Sequence, residues 1–270
     1  MNLKGEKIVV IGMGKTGLAT VRFLGGQGAS VIATDEKPPE KWGAAFEQIA
    51  GENWLTTGDY NAGILDGVSM VVPSPGVPPS NEILQEAIRK KIPVISEVEL
   101  AYYFIKVPIL AITGTNGKTT TTTLLGDIIT RAGKKVFVGG NIGNPLIEFA
   151  GNNQEADFVV AEISSFQLQW IKEFRPFVAV LLNITCDHIN YHGSFAEYRR
   201  IKARVFENQA KSDYAILNAE DPEQKSMAAS IRAQVVAFSS RNQLPVGIFV
   251  KDGNIIFHNL KGEEEQYSWE

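Results

Sequence analysis

Nine short apolar runs, rich in Val, Ile and Leu, recur along the chain from KIVVIG (7–12) through SVIATD, VSMVVPS, VPILAITG, KKVFVGG, ADFVVAEIS, FVAVLLNIT and DYAILNAE to QVVAFSS (234–240). Apolar runs without polar alternation belong to strands buried on both faces, and the helix-length segments between them supply the crossovers that parallel strands require. The expected fold is α/β. An N-terminal Rossmann-like parallel-sheet domain is followed by a P-loop-type α/β domain that ends in a β-hairpin region around Asp252-Gly253, a strong turn pair between alternating residues. At 270 residues the chain is long enough for two domains with separate cores. The division is placed at Ser96, giving domains 1–96 and 97–270.

Two of these strands run into glycine loops. In IVVIGMGKTGLA (8–19), Gly12, Gly14 and Gly17 have the G-x-G-x-x-G spacing. The first glycine permits the tight turn, the second lets a diphosphate approach the backbone, and the third lets the helix pack on the strand. Asp35, at the end of the second strand, stands where a ribose hydroxyl is bound in dinucleotide folds. Read alone, this loop points to a nicotinamide or flavin nucleotide, with a purely structural turn as the alternative.

The second loop, ITGTNGKTTTT (112–122), holds Gly114, Gly117, Lys118 and Thr119 between a strand and a helix. Main-chain N–H groups and a helix N-terminus converge there on phosphate oxygens, the lysine reaches the terminal phosphates, and the threonine hydroxyl suits Mg²⁺. Ile112 stands where the general P-loop pattern has glycine, so the signature is the narrower G-x-x-G-K-T. A glycine turn with a Thr-rich cap is the plainer alternative, but threonine is a poor interior helix former and five follow one another at 119–123. A triphosphate site is favoured, and two phosphate loops argue against a simple dehydrogenase.

Glu162, Asp187, His188 and His192 each follow a strand, where ligands bind in parallel sheets. His188 and His192 lack the glutamate of a zinc-protease motif, whereas Thr119, Glu162 and phosphate oxygens suit a hard Mg²⁺. Ser194 and Glu197 form a capping box for a helix whose apolar stripe, Phe195, Tyr198, Ile201, Val205 and Phe206, encloses Lys202. Lys202 either snorkels to solvent or is desolvated enough to be neutral, in which case its amine captures CO₂ as a carbamate, an anionic oxygen ligand for Mg²⁺ beside His188.

The set GTNGKTT, GGNIG, EISSFQL, Asp187-His188 and Lys202, preceded by SPGVP (74–78), resembles the Mur ligases of peptidoglycan synthesis, from residue 8 to the end of the chain. SPGVP and EISSFQL behind a G-x-G-x-x-G domain resemble the branch that joins D-glutamate to UDP-N-acetylmuramoyl-L-alanine. That resemblance implies an ATP-dependent amide ligase working through an acyl phosphate. It implies that Lys15, Thr16, Asp35, Glu36, Ser74, Pro75, Gly76, Asn141 and His188 bind the UDP-sugar, and that Gly114, Thr115, Asn116, Gly117, Lys118, Thr119 and Thr120 bind ATP. Thr119 and Glu162 would hold one Mg²⁺, His188 and carbamylated Lys202 a second, and Lys118, His188, Lys202 and Asn141 would form the catalytic set.

Family members continue into a third domain, so a form that ends at Glu270 is expected to bind the UDP-sugar but ligate weakly or not at all. A nicotinamide oxidoreductase and a non-catalytic sugar-nucleotide module remain as alternatives. Net charge is −4, which offers nothing to nucleic acid or an anionic membrane. The single cysteine, Cys186, has no internal partner, so a cytoplasmic protein is expected, with a monomer as the simplest state.

Overall fold

The computed structural model describes residues 1–152 and 155–268. The chain forms two compact units, the first comprising Met1–Lys106, Gly139–Glu155 and Phe166–Phe174, the second Val107–Val138, Ala156–Ser165 and the chain from Arg175 onward. The first unit is larger than the 1–96 segment marked out by motif. Two buried carboxylates explain why. Glu99 accepts the N–H groups of Lys172, Glu173 and Phe174, each at 2.8 Å, and Glu97 accepts that of Ile147 at 2.7 Å, so both later segments are tied to the helix Glu97–Tyr102.

In the first unit β1 (Lys7–Ile11), β2 (Ser30–Thr34), β3 (Leu55–Thr57) and β4 (Met70–Pro73) make a parallel sheet in the order β3-β2-β1-β4. Val9, Ile11, Val71, Leu65, Ile83 and Leu84 are all buried in its core, as continuous apolar strands require. β3 was not expected. Its sequence, LTT, buries no residue fully and has no apolar run to mark it.

The second unit carries β5 (Ile109–Thr113), β6 (Val136–Gly140, whose last two residues count with the first unit), β7 (Phe158–Glu162), β8 (Val178–Leu181), β9 (Tyr214–Asn218), β10 (Gln234–Ser239), β11 (Gly247–Lys251), β12 (Asn254–His258) and β13 (Glu264–Ser268). They form one sheet in the order β13-β12-β11-β10-β9-β8-β5-β7-β6. Strands β7, β5, β8, β9, β10 and β11 run parallel, and β11, β12 and β13 then run antiparallel. The hairpin falls where Asp252-Gly253 places it: Lys251 pairs with Asn254, and both turn residues have positive φ, 50° and 75°. β13 extends it beyond expectation, because EEQYS is exposed along its whole length and shows no buried face.

β5 lies between β7 and β8. Parallel strands bring their carboxyl ends to one edge, so the loop after β5 is flanked by Glu162 at the end of β7 and by the segment from Asn183 that follows β8.

Candidate functional site

In the first unit the glycine turn after β1 is built as its spacing predicts. Gly12 has φ +90°, and a Cβ on Gly17 would stand 1.8 Å from the Gly12 carbonyl oxygen, so only glycine lets the helix Lys15–Gly26 begin this close to the strand. Around Gly14 the space a Cβ would enter is open, which is the cradle a ligand's phosphate needs. The hydroxyl of Ser74 donates to the Gly12 carbonyl at 2.7 Å and braces the turn from β4.

This turn opens into a cavity of about 480 Å³ whose lining includes Gly14, Lys15, Thr16, Asp35, Glu36, Ser74, Pro75, Gly76 and Asn141. Every residue expected to hold the UDP-sugar is therefore on this wall except His188, which lies in the second unit. Asp35 is held in place by the turn: its two oxygens accept the N–H groups of Met13 at 2.6 Å and Lys37 at 2.8 Å, one each, while the residue lines the cavity. Lys15 donates to the Gly143 carbonyl at 2.7 Å and to Asn144 Oδ1 at 3.0 Å. Tyr60 and Gln167 also line the cavity and were missed, since neither belongs to a glycine motif; Tyr60 is held by Asn81 Nδ2 at 2.7 Å, and burial, with Glu36 beside it, pushes its phenol up.

In the second unit the loop after β5 ends in a left-handed Gly117, φ +83°, and the helix Lys118–Arg131 starts with no side-chain cap. Its first-turn N–H groups thus have no intrahelical partner and face an incoming anion. Asn183, which sequence reasoning passed over, fastens the loop: its carbonyl accepts Thr115 N–H at 2.9 Å, its Oδ1 accepts Asn116 N–H at 2.9 Å, and its Nδ2 donates to the Asn116 carbonyl at 3.0 Å. Lys118 Nζ folds back on the Thr115 carbonyl at 2.9 Å, the position a terminal phosphate would compete for. Thr119 Oγ1 donates to Glu162 Oε2 at 2.8 Å, so the hydroxyl and the buried carboxylate expected to share a cation stand side by side.

The helix Phe195–Ala203 starts at Ser194, whose Oγ accepts Glu197 N–H at 3.1 Å. It buries Tyr198, Ile201 and Lys202. Lys202 does not snorkel. It is 2% exposed, donates to the Gly114 carbonyl at 2.7 Å and lies 4.9 Å from the centre of the Tyr198 ring. Burial first, and the Lys118 ammonium second, bring its pKa down to about 7, against a smaller opposing pull from Asp187. Tyr198 in turn reaches Thr115 Oγ1 at 3.1 Å, joining the lysine's helix to the phosphate loop.

His188 adopts a left-handed φ of 50° with Nε2 3.4 Å from Asp187, and its ring meets that of Tyr198 edge-on at 6.4 Å. His192 is buried with Nε2 3.0 Å from Ser165 Oγ, and burial holds its pKa below the ordinary range. Cys186 is exposed. Among the described residues no three His, Cys, Asp or Glu side chains form a metal cage.

The family model for the Mur ligase middle domain matches residues 112–268, and that for the Mur ligase MurD-like N-terminal domain matches residues 6–96. Two relatives, both UDP-N-acetylmuramoylalanine–D-glutamate ligases, come from Syntrophus aciditrophicus (strain SB), 47% identical, and Geobacter metallireducens (strain ATCC 53774 / DSM 7210 / GS-15), 46% identical, each over 99% of this chain. The chain spans 59% of the length of both. Among solved structures, a UDP-N-acetylmuramate:L-alanyl-gamma-D-glutamyl-meso-diaminopimelate ligase from Neisseria meningitides shares the fold at TM-score 0.58 and 18% identity, over 98% of this chain and 87% of that one. A MurF ligase from Thermotoga maritima, solved in complex with ADP, does so at TM-score 0.50 and 16% identity, over 97% of this chain and 55% of that one.

Proposed function

The chain belongs to the Mur ligase family, and on that premise we propose that it serves the ATP-dependent joining of D-glutamate to UDP-N-acetylmuramoyl-L-alanine. Residues 1–96, joined by Asn141 on the cavity wall, would carry the UDP-sugar site and the rest of 97–270 the ATP site. The observation that supports this reading best is Lys202, a lysine kept 2% exposed against the phosphate-loop carbonyl of Gly114. An oxidoreductase has no use for it.

Amide formation from a carboxylate in water is unfavourable. The γ-phosphate of ATP would first pass to the alanyl carboxylate, and the amine of D-glutamate would then displace it. Both steps gather negative charge, so the protein's part is to position reactants and stabilise charge, with no protein nucleophile. Lys118 would exchange the Thr115 carbonyl for the terminal phosphate, while the first-turn N–H groups from Lys118 onward hold the neighbouring oxygens. Asn141 would orient the reacting end of the UDP-sugar from the cavity wall.

The donor set fits Mg²⁺: Thr119 and Glu162 offer hard oxygens, and phosphate oxygens would complete the shell. Mg²⁺ supplies charge neutralisation and fixes the phosphate oxygens when bound. For a second ion, His188 would act with Lys202, whose neutral Nζ adds CO₂ and releases one proton to solvent as the carbamate forms. Among the described residues no helix is long and apolar enough to cross a membrane. A cytoplasmic monomer without nucleic-acid partners is proposed with this function.

Titration of the chain with UDP-N-acetylmuramoyl-L-alanine and, separately, with NADH tests the reading. Saturable binding of the first alone is expected; binding of NADH without the UDP-sugar overturns it. In the second unit, Glu162→Gln is expected to weaken Mg²⁺·ATP binding by about tenfold or more, since one hard anionic ligand is lost. UDP-sugar affinity, read on the same variant, should stay within about twofold because the cavity belongs to the other unit.

A further inference from the structure

Among the described residues that line the cavity, Lys15 is the one cation, alongside two carboxylates, Asp35 and Glu36. It is the first residue of the helix Lys15–Gly26, which starts at Gly14 with no side-chain cap, so its main chain belongs to the phosphate turn. Its side chain goes elsewhere. Nζ donates to the Gly143 carbonyl at 2.7 Å and to Asn144 Oδ1 at 3.0 Å, partners 128 and 129 residues along the chain and within the same unit. An exposed lysine gives up much rotamer freedom when it is held this way, and bonds to neutral acceptors in water add little stability in exchange. The use of the tie therefore lies in what it holds.

What it holds is the segment that carries Asn141. Gly140 N–H donates to the Asn144 carbonyl at 2.8 Å and closes residues 140–144 into a short loop, with Gly140 and Asn141 on the cavity wall. Beyond the loop the chain is fastened again, where Glu97 Oε1 accepts Ile147 N–H at 2.7 Å. Lys15 thus joins the loop to the turn in which a diphosphate would sit. An ammonium has three N–H donors; two are taken by the loop, and one remains for a phosphate oxygen. We propose that Lys15 is a positioning residue for Asn141, its ammonium shared between the 140–144 loop and the diphosphate of the ligand.

The coupling follows from charge. In the free protein the exposed ammonium exchanges its acceptors with water, whereas an anion in the turn holds it by a charge-assisted bond. An ordered ammonium orders the loop bonded to it. A main-chain cradle of glycines would bind the diphosphate equally well without any hold on the loop. Lys15 adds that hold, so the ligand's own diphosphate fixes Asn141 for the part of the ligand that reaches it.

The inference rests on the UDP-sugar reading of this cavity. Two probes separate its parts: UDP-N-acetylmuramoyl-L-alanine, and UDP-N-acetylglucosamine, which has the same diphosphate diester but no lactyl-alanine arm for Asn141 to orient. Both are titrated calorimetrically into the wild type, Lys15→Met, Asn144→Ala and the double variant. Lys15 and Asn144 are exposed, so the substituted chains keep the fold. Lys15→Met is expected to weaken both probes, because a phosphate contact is lost, and to weaken the muramoyl probe by about fivefold more. Asn144→Ala keeps the ammonium: affinity for the shorter probe should stay within about twofold, while that for the muramoyl probe falls by about threefold or more. In the double variant the loss due to Asn144→Ala should vanish, since its partner is already gone. Hydrogen exchange reads the tie with no ligand present: the Gly140 amide should exchange about fivefold faster or more in Lys15→Met than in the wild type. Equal losses for the two probes in Lys15→Met, an Asn144→Ala variant that treats them alike, or unchanged Gly140 exchange overturns the inference. Should the wild type bind neither probe, the UDP-sugar reading fails and the positioning role falls with it.

Discussion

Lys202→Met is expected to melt at a higher temperature than the wild type at pH 6 and to have lost the Mg²⁺-holding role proposed for Lys202. The amine is buried and its pKa falls from 10.5 to about 7, burial being the main cause. A base with a depressed folded-state pKa takes up a proton more readily when unfolded. Its cost to stability is therefore complete below about pH 7 and disappears as pH rises toward 10.5. A drop of that size corresponds to a cost on the order of 5 kcal/mol below pH 7. Methionine fills a similar volume without the charge but leaves the Gly114 carbonyl without its donor, a loss of about 1–3 kcal/mol. A net gain of about 2 kcal/mol or more remains at pH 6, or roughly 4 °C or more in Tm for a domain of this size. Thermal melts of both proteins at pH 6 and pH 10 check the sign: the methionine variant's advantage should be present at pH 6 and gone at pH 10. A Tm lowered equally at both would show that the lysine is not held neutral. Any Mg²⁺·ATP-dependent ligation that the wild-type chain supports, measured alongside, should be lost, with Lys202→Ala partly rescued by short carboxylic acids. Unchanged turnover in either variant removes the carbamate from the mechanism.

Gly17→Ala is expected to cost the first unit about 3 kcal/mol or more and to abolish UDP-sugar binding. Its Cβ would sit 1.8 Å from the Gly12 carbonyl oxygen, 2.9 Å from the Gly12 carbonyl carbon and 2.9 Å from Ser74 Oγ. The first two are main chain and cannot rotate away. The helix would have to withdraw from β1, opening the turn that Ser74 closes at 2.7 Å. Gly14→Ala is the informative control, because its Cβ enters open space. Stability should be nearly unchanged there while affinity drops, since the methyl group occupies the cradle itself. Denaturant unfolding and UDP-sugar titration on both variants separate the two effects. Mg²⁺·ATP binding should survive both, as the phosphate loop belongs to the second unit. Equal affinity for the UDP-sugar in Gly14→Ala and wild type would place the diphosphate elsewhere.

These expectations draw on features that differ in how visible they are in the sequence. The glycine loops were legible because their glycines stand where the backbone must bend or be closely approached, as at Gly12, Gly17 and Gly117. The apolar strands were legible because burial on both faces suppresses polar alternation. β3 and β13 were not, since LTT and EEQYS pair through main-chain bonds at sheet edges and need no apolar face. Asn183 and Tyr60 were also hidden. Each acts through a partner remote in sequence, and an isolated polar residue after a strand or in a loop carries no periodic signal.

The burial of Lys202 lies between these cases. Its spacing from Tyr198 and Phe206 put it on the apolar stripe, but the same spacing serves a snorkelling lysine. Only the tertiary structure decided between them, because desolvation depends on what covers the amine, and here the covering groups are the Gly114 carbonyl and the Tyr198 ring. Asp35 shows a contact that the sequence did not: the main-chain N–H groups of Met13 and Lys37 bond its two oxygens and fix it beside the turn. By itself the sequence determined the α/β class, the two glycine loops and most of the residues around them, for those depend on local backbone demands and on patterns of burial. The tertiary structure alone decided which side chains are desolvated, which carboxylates are already engaged, and which segments, such as Gly139–Glu155 and Phe166–Phe174, belong with the first unit. Those outcomes depend on contacts between residues far apart in the chain, whose energies no local pattern encodes.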